Sequence, residues 1–466
     1  MTTTQERPRT LGELKASGYR SRPVREEMRE NLIARLRSGE ELFPGIYGYD
    51  ETVIPHIVNA ILAGQDIIFL GERGQAKSRI IRSLTSLLDE ALPVLVGCEI
   101  PEDPFEPITG QGRSIIAERG DDAPIEWLDR SARYGEKLAT PDITIADLIG
   151  EVDPIKVAEG KYLSDELTIH YGLIPRTHRG IFCINELPDL AERIQVGLLN
   201  IMEERDVQIR GYRIRMPLDV VVIASANPED YTNRGRIITP LKDRYGAQVR
   251  THYPTEITHE IGIMDAEHHP VPADFTVIVP DYMKEVIAEI SRLARRSPDV
   301  NQRSGVSVRA SIANYESLLA NAVRRSIVNG EDTVVPRVSD LPYVIPTLSG
   351  KVEFETVEDG REEQIMEKLI QGAVAAVFGR TFNLADLDPV VQRFKAGVSV
   401  EVGDMVPSAE YTRLISSVEG LREAVAPITG GTPAEQAAAI EFLLDGLHLN
   451  KRLNKDRVGS KIQYRG

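Results

Sequence analysis

The stretch "DIIFLGERGQAKSRIIRSLTSLLDE", Asp66 to Glu90, constrains the fold more than any other part of the chain. Its short, continuous apolar run reads as a strand buried on both faces, as in a parallel sheet. Ile80, Ile81, Leu84, Leu87 and Leu88 then recur on one face of a helix. Between strand and helix lies "GERGQAKS", Gly71 to Ser78, which follows the phosphate-binding pattern G-x-x-x-x-G-K-[ST] at Gly71, Lys77 and Ser78. Ala76 stands where that pattern has its second glycine. A methyl group is tolerated there if the residue keeps a negative φ and no phosphate passes over its Cβ. Loop amides and a helix N-terminus that converge on one point favour an anion. The candidate nucleotide loop is therefore Gly71, Glu72, Arg73, Gly74, Gln75, Ala76, Lys77 and Ser78. Lys77 would reach the β- and γ-phosphates and Ser78 would coordinate Mg²⁺. The other reading is a glycine-rich turn with no ligand.

With 466 residues the chain has room for two to four domains. Hydrophobic residues at 42% and charged residues at 27% are ordinary for globular proteins. No apolar run approaches the roughly 20 residues needed to span a bilayer. "MTTTQERPRT" at the N-terminus lacks the apolar segment of a secretory signal. Two cysteines, Cys98 and Cys183, imply a reducing compartment, and a cytoplasmic location is expected. Cys183, inside an apolar run, reads as a small buried hydrophobe. A net charge of -16 disfavours nucleic-acid binding by the whole surface, though not by a local basic surface such as the lining of a ring pore.

Two further strands carry polar tips. "GIFCINELPDL", Gly180 to Leu190, has the form of a Walker B strand, with Asn185-Glu186 where Asp-Glu is usual. Glu186 is placed to deprotonate an attacking water. Asn185 can accept a hydrogen bond from a metal-bound water but supplies no charge. A strand followed by an N-capping polar pair is the alternative. "DVVVIASANPED", Asp219 to Asp230, ends in Asn227-Pro228, and Asn227 could hold the attacking water; a strand-end turn is the alternative. Between these strands, "LLNIMEERDVQIRGYRIRMP" reads as a helix and then a β-hairpin turning near Arg210-Gly211.

Strand and loop, Walker B, helix, hairpin, strand ending in Asn, then "PLKDRYG" and "SGVSVRASIANYESLLANA" occur in one order. That order resembles the AAA+ ATPases, specifically the clade of the magnesium-chelatase ATPase subunit and the MoxR proteins, over about residues 40 to 345. The resemblance implies an α/β fold: an AAA+ P-loop core with a parallel sheet, then a helical lid and a helical C-terminal region. The expected domains are an N-terminal extension (1–40), the nucleotide-binding core (41–255, with a helix 2 insertion at about 141–175), the lid (256–345) and a C-terminal helical domain (346–466). Asn227 matches sensor 1. Arg244 resembles the arginine finger that reaches a neighbouring subunit's nucleotide, with Arg236 a second candidate. Arg309 resembles the sensor 2 arginine, and Ile46 and Tyr47 look like the segment packed against adenine. Arginine suits these roles because its fixed fork of donors matches phosphate oxygens. Mg²⁺ would be held by Ser78 and, through water, by Asn185.

Residues 101 to 140, which contain the single tryptophan Trp127, fit no part of this pattern. "EEQIMEKLIQGAVAAVFGRTF" and "PAEQAAAIEFLLDGLHLNKRLNK" are helical in pattern. His259, His268 and His269 match no metal-ligand spacing and read as solvated. The start of a von Willebrand A metal site is absent, so such a domain would be a separate partner chain. The loop "GAFTGA", which marks activators of sigma-54 polymerase, is absent too, which argues against a transcription activator. The resemblance implies an ATP hydrolase using ATP and Mg²⁺, assembled as a homo-oligomer, a hexameric ring, that remodels or assembles a client protein. The alternative is a nucleotide-binding assembly scaffold with little intrinsic hydrolysis, favoured by Ala76 and Asn185. A metal-insertion motor and a nucleic-acid translocase are narrower readings.

Overall fold

The computed structural model describes residues 7–466, apart from 154, 156–167, 209–214, 228–234, 303, 356–359 and 460. It divides into two compact units, Met1–His252 and Tyr253–Gly466.

The first unit is built on five parallel strands: β1 (Ile67–Leu70), β2 (Tyr134–Leu138), β3 (Gly180–Asn185), β4 (Val220–Ala226) and β5 (Ala247–Arg250). Their order across the sheet is β5-β1-β4-β3-β2. The three central strands, "IIFL", "GIFCIN" and "VVVIASA", are buried along their whole length. Such runs of Ile and Val suit a sheet covered on both faces. Their side chains alternate between two cores. Ile67, Phe69, Ile181, Cys183, Val221 and Ile223 face one, with helices α1 (Val24–Ser38), α2 (Val53–Leu62) and α3 (Lys77–Ser83). Ile68, Leu70, Phe182, Ile184, Val222 and Ala224 face the other, with α4 (Glu192–Glu203) and α5 (Thr239–Arg244). Cys183 is fully buried, as its apolar setting suggested.

The edge strands escaped the sequence reading. β2, "YGEKL", and β5, "AQVR", are short and half polar because each has a neighbour on one side only. β2 falls within the segment that fitted no pattern. That segment also supplies Ile125–Asp129, which pairs antiparallel with Ala91–Leu95.

Part of the segment expected to extend from the core is packed onto it. Val24, Met28 and Leu32 of α1 belong to the α3-side core. Glu27 of α1 accepts from Arg133 at 2.7 and 2.6 Å in a bidentate pair, and both side chains are buried. Asp66, buried just before β1, accepts from Arg205 (2.7 Å) and the Val222 amide (2.8 Å), and also pairs with Arg25. The expected hairpin is present as Asp206–Gln208 paired with Arg215–Pro217; its turn lies outside the described residues. So does much of the expected helix 2 insertion, flanked by the antiparallel pair Gly150–Val152 and Ile169–Tyr171.

The second unit contains helices α6 (Ile257–Glu267), α7 (Asp281–Ala294), α8 (Val308–Asn329), α9 (Arg361–Thr381) and α10 (Pro433–Leu449). One apolar core runs from Met264 through α7, α8 and α9 to Tyr464, across the expected lid boundary at 345. Helix α10 is mostly apolar and buried over most of its length, with Glu441 and Asp445 buried against Tyr411 and Tyr464. Its Gly446 allows Phe378 of α9 to approach; a Cβ there would lie 1.9 Å from the ring. The C-terminal region is not wholly helical. Strands β6 (Ser399–Val402), β7 (Asn454–Val458) and β8 (Lys461–Arg465) form an antiparallel sheet in the order β6-β8-β7. Alternation in "SVEV" and "KIQYR" carries this sheet, and the charged "NKRLNK" masked it.

Candidate nucleotide site

Three motifs far apart in sequence meet at the C-terminal ends of three adjacent strands. The loop Gly71–Ala76 leaves β1 and runs into α3 at Lys77. The Gly71 amide donates to Ala226 O at the end of β4 (3.1 Å), which sets Asn227 beside the loop. Asn227 is buried. On the next strand, β3 ends at Asn185, and Glu186 follows in a left-handed conformation, φ 54°. The chain thus turns sharply at Glu186.

The loop is held from several sides. Gln75 Oε1 accepts from the Glu72 amide (3.0 Å) and from Thr251 Oγ1 (2.7 Å). Lys77 is buried, and its ammonium donates to Glu72 O (2.8 Å) and to Gly71 O. Tyr49 donates toward Gln75 O (3.1 Å) and His252 O (2.7 Å). Burial pushes the Tyr49 hydroxyl up to about 12, so it remains a donor. Ile46 packs into the same core as Tyr49, and Tyr47 is exposed beside it. Arg73 and Ser78 are exposed, and Gly74 takes a positive φ of 74°. A cavity of about 400 Å³ opens against the loop, lined in part by Gly71, Glu72, Gln75, Lys242 and Arg250. Neither of those two cations was marked by the sequence motifs.

Ala76 departs from expectation. Its φ is +55°, not negative. The loop keeps the backbone shape that a glycine would adopt freely, and the alanine takes it at a cost.

Around Asn185 the polar groups form an ordered chain. The Glu186 amide donates to Ser225 Oγ (3.3 Å), and Ser225 Oγ donates to Asn185 Oδ1 (3.0 Å). Asn185 Nδ2 donates to Glu136 Oε1 on β2. Glu136 also accepts from Arg82 of α3 at 2.9 and 3.0 Å and from Tyr134 (3.0 Å). Burial alone would raise the Glu136 carboxyl, but the bonds from Arg82, Tyr134 and Asn185 hold it below its ordinary value. Sequence reasoning missed Ser225 and Glu136. One is a small residue inside a strand and the other lies on an unrecognised edge strand.

The other candidate arginines are carried by other segments of the chain. Arg244, in the last turn of α5, is bound by Glu203 (Nε 3.0 Å) and the Pro240 carbonyl (2.8 Å). Arg236 is exposed, 3.8 Å from Glu192. Arg309 is exposed in the first turn of α8, where Ser307 Oγ accepts from its amide (3.1 Å). His269 pairs with Glu316 at 2.7 Å. Among the described residues no group of three or more His, Cys, Asp or Glu side chains could hold a metal ion, and no helix is long and apolar enough to cross a membrane.

Residues 158–241, which take in β3, α4 and β4, match the family model of the Sigma-54 interaction domain. Over 241 residues the chain is 26% identical to the magnesium-chelatase 38 kDa subunit of Cereibacter sphaeroides, covering 48% of this chain and 65% of that one. It thus spans just under two thirds of that subunit's length. It is also 26% identical over 333 residues to the chloroplastic magnesium-chelatase subunit ChlI of Oryza sativa subsp. indica, covering 65% and 74%. A solved chain from a complex between magnesium-chelatase subunits BchI and BchD is 19% identical and covers 69% and 98%. Its TM-score is 0.35.

Proposed function

We propose, from the premise that this chain is an AAA+ ATPase of the magnesium-chelatase clade, that it binds and hydrolyses ATP to drive conformational work on a partner protein. The observation that supports this most is the convergence of the loop, the Asn185-Glu186 tip and Asn227 at the ends of β1, β3 and β4, joined by the Gly71–Ala226 bond. Loop amides and Lys77 bind the phosphates. Lys77 exchanges its bonds to Gly71 O and Glu72 O for phosphate oxygens. Glu186, aimed by its left-handed backbone, takes the proton of the attacking water, and Asn227 positions that water. Ser78 and Asn185, with Glu136 nearby, offer hard oxygen donors that suit Mg²⁺. When bound, the ion neutralises charge on the phosphates. Arg244 exchanges Glu203 for the nucleotide of a neighbouring copy, and Arg309 serves as the sensor 2 arginine. Ile46 and Tyr47 pack against the adenine.

The family resemblance supports a ring of identical subunits, a hexamer, and a separate partner carrying a von Willebrand A domain. A MoxR-like remodelling role fits better than metal insertion, because no residue of the site addresses a porphyrin. The acidic chain speaks against a nucleic-acid client. A second reading, a nucleotide-binding scaffold with little turnover, is favoured by one observation: Asn185 brings no charge of its own.

The test is ATP binding and Mg²⁺-dependent turnover by the purified protein. Wild type is expected to turn over, Glu186→Gln to bind ATP with turnover cut by about 100-fold or more, and Lys77→Ala to lose binding. Wild type as idle as Glu186→Gln supports the scaffold. No ATP binding at all ends both readings.

A further inference from the structure

We propose that Glu136 supplies the negative charge that Asn185 lacks, acting through Asn185 as a positioning residue for the Mg²⁺–nucleotide site. The inference rests on the nucleotide reading above.

The orientation of Asn185 is forced. An ionised carboxylate can only accept, so the Asn185 amide must turn its NH₂ toward Glu136. The Ser225 oxygen already receives the Glu186 amide proton, and its own proton goes to Asn185 Oδ1. Donation therefore runs in one direction, from the Glu186 backbone through Ser225 and Asn185 to Glu136. A chain of this kind is polarised by the charge at its end, each bond strengthening the next. The carbonyl oxygen of Asn185 becomes a better acceptor for metal-bound water when its NH₂ is bound to an anion. The usual carboxylate is thus moved one strand sideways, from β3 to β2, and coupled back through an amide.

The register supports this coupling. Glu136 lies opposite Cys183 on the paired strands, so Glu136 and Asn185 share the face that carries α3. Arg82, which grips Glu136, is one turn beyond Ser78 on α3. The Arg82 side chain is 63% exposed. The pair is bidentate, but its Arg82 end lies in solvent, where its charge is screened, so Arg82 does not fully cancel the Glu136 charge. A purely structural role would need only the Arg82 pair. It would not need the bond to Asn185.

The experiment measures ATP affinity with Mg²⁺ and with excess EDTA, using a fluorescent ATP analogue on the full chain. The readout is the ratio of the two affinities, not turnover. Glu136→Gln is expected to cut the Mg²⁺-dependent gain by about tenfold while leaving the EDTA affinity unchanged, the usual scale for a group behind a metal ligand. Adding Asn185→Asp to Glu136→Gln should restore the gain, because the carboxylate returns to β3. Arg82→Ala, which frees Glu136, should raise the gain by about twofold to threefold. A Glu136→Gln protein with an unchanged gain overturns the proposal. So does an equal loss with and without Mg²⁺, or a double variant that is not restored. If Glu136→Gln does not fold, an unchanged gain in Arg82→Ala overturns it. Wild type that binds no ATP under either condition removes the nucleotide reading itself; wild type that binds with a Mg²⁺-dependent gain isolates the failure to Glu136.

Discussion

At the scale of single residues, the two departures from the phosphate-loop and Walker B patterns have different physics. Ala76 keeps the left-handed backbone that the missing glycine would have taken, so the departure is a matter of strain. Replacing it is expected to stabilise: Ala76→Gly should raise the unfolding free energy by about 1 kcal/mol, seen as a higher urea midpoint followed by the fluorescence of Trp127 in the same unit. An unchanged midpoint would mean that the loop does not hold this conformation in solution. Asn185 is a matter of charge, and its solution lies on another strand. The motif spacing made Lys77, Ser78, Glu186 and Asn227 legible, because strand, turn and helix are set by near neighbours. Glu136 was illegible. It is 49 residues from Asn185, and nothing in "YGEKL" marks a strand that faces a site.

At the scale of elements, α1 is fixed to the sheet by the Glu27–Arg133 pair, which spans 106 residues of sequence. Arg133 also donates to Arg179 O at 2.8 and 2.6 Å, so four of its five guanidinium N–H groups are bonded. Removing one partner leaves a buried charge. Glu27→Ala should therefore destabilise the first unit by about 3–5 kcal/mol, seen as a lower urea midpoint. A loss under 1 kcal/mol would show that water reaches Arg133 and that α1 packs loosely. In the sequence, α1 lies within the segment expected only as an N-terminal extension, and its residues are mostly charged with little apolar stripe. Its attachment through two ion pairs, Glu27–Arg133 and Arg25–Asp66, and three apolar side chains could not be read from periodicity. Central strands were legible because burial on both faces leaves only apolar residues; edge strands were not, since one open side admits Glu, Lys and Arg.

At the scale of the whole molecule, pH acts through groups buried neutral. His178 accepts from the Asp219 amide at Nδ1 (3.1 Å). Burial, with Arg179 beside it, lowers its pKa to about 3. Its folded pKa lies below the unfolded value of about 6.5. As pH falls from 6.5 toward 3, only the unfolded chain gains the proton, so stability falls with pH in that window. Between pH 7 and pH 5 the loss from this group is about 2 kcal/mol. His178→Asn keeps an acceptor without a titrating ring, and its urea midpoint should depend less on pH by about that amount. Equal slopes would assign the effect to other groups. The sequence by itself determined the buried parallel strands, the phosphate loop with its cation and hydroxyl, the polar strand tips and the long helices. Each is written in periodicity and turn chemistry within some twenty residues. Only the tertiary structure decided which strands close the sheet, that one apolar core unites the second unit, and that Asn185 leans on Glu136. Those outcomes depend on charge and packing between segments that meet only after the chain has folded.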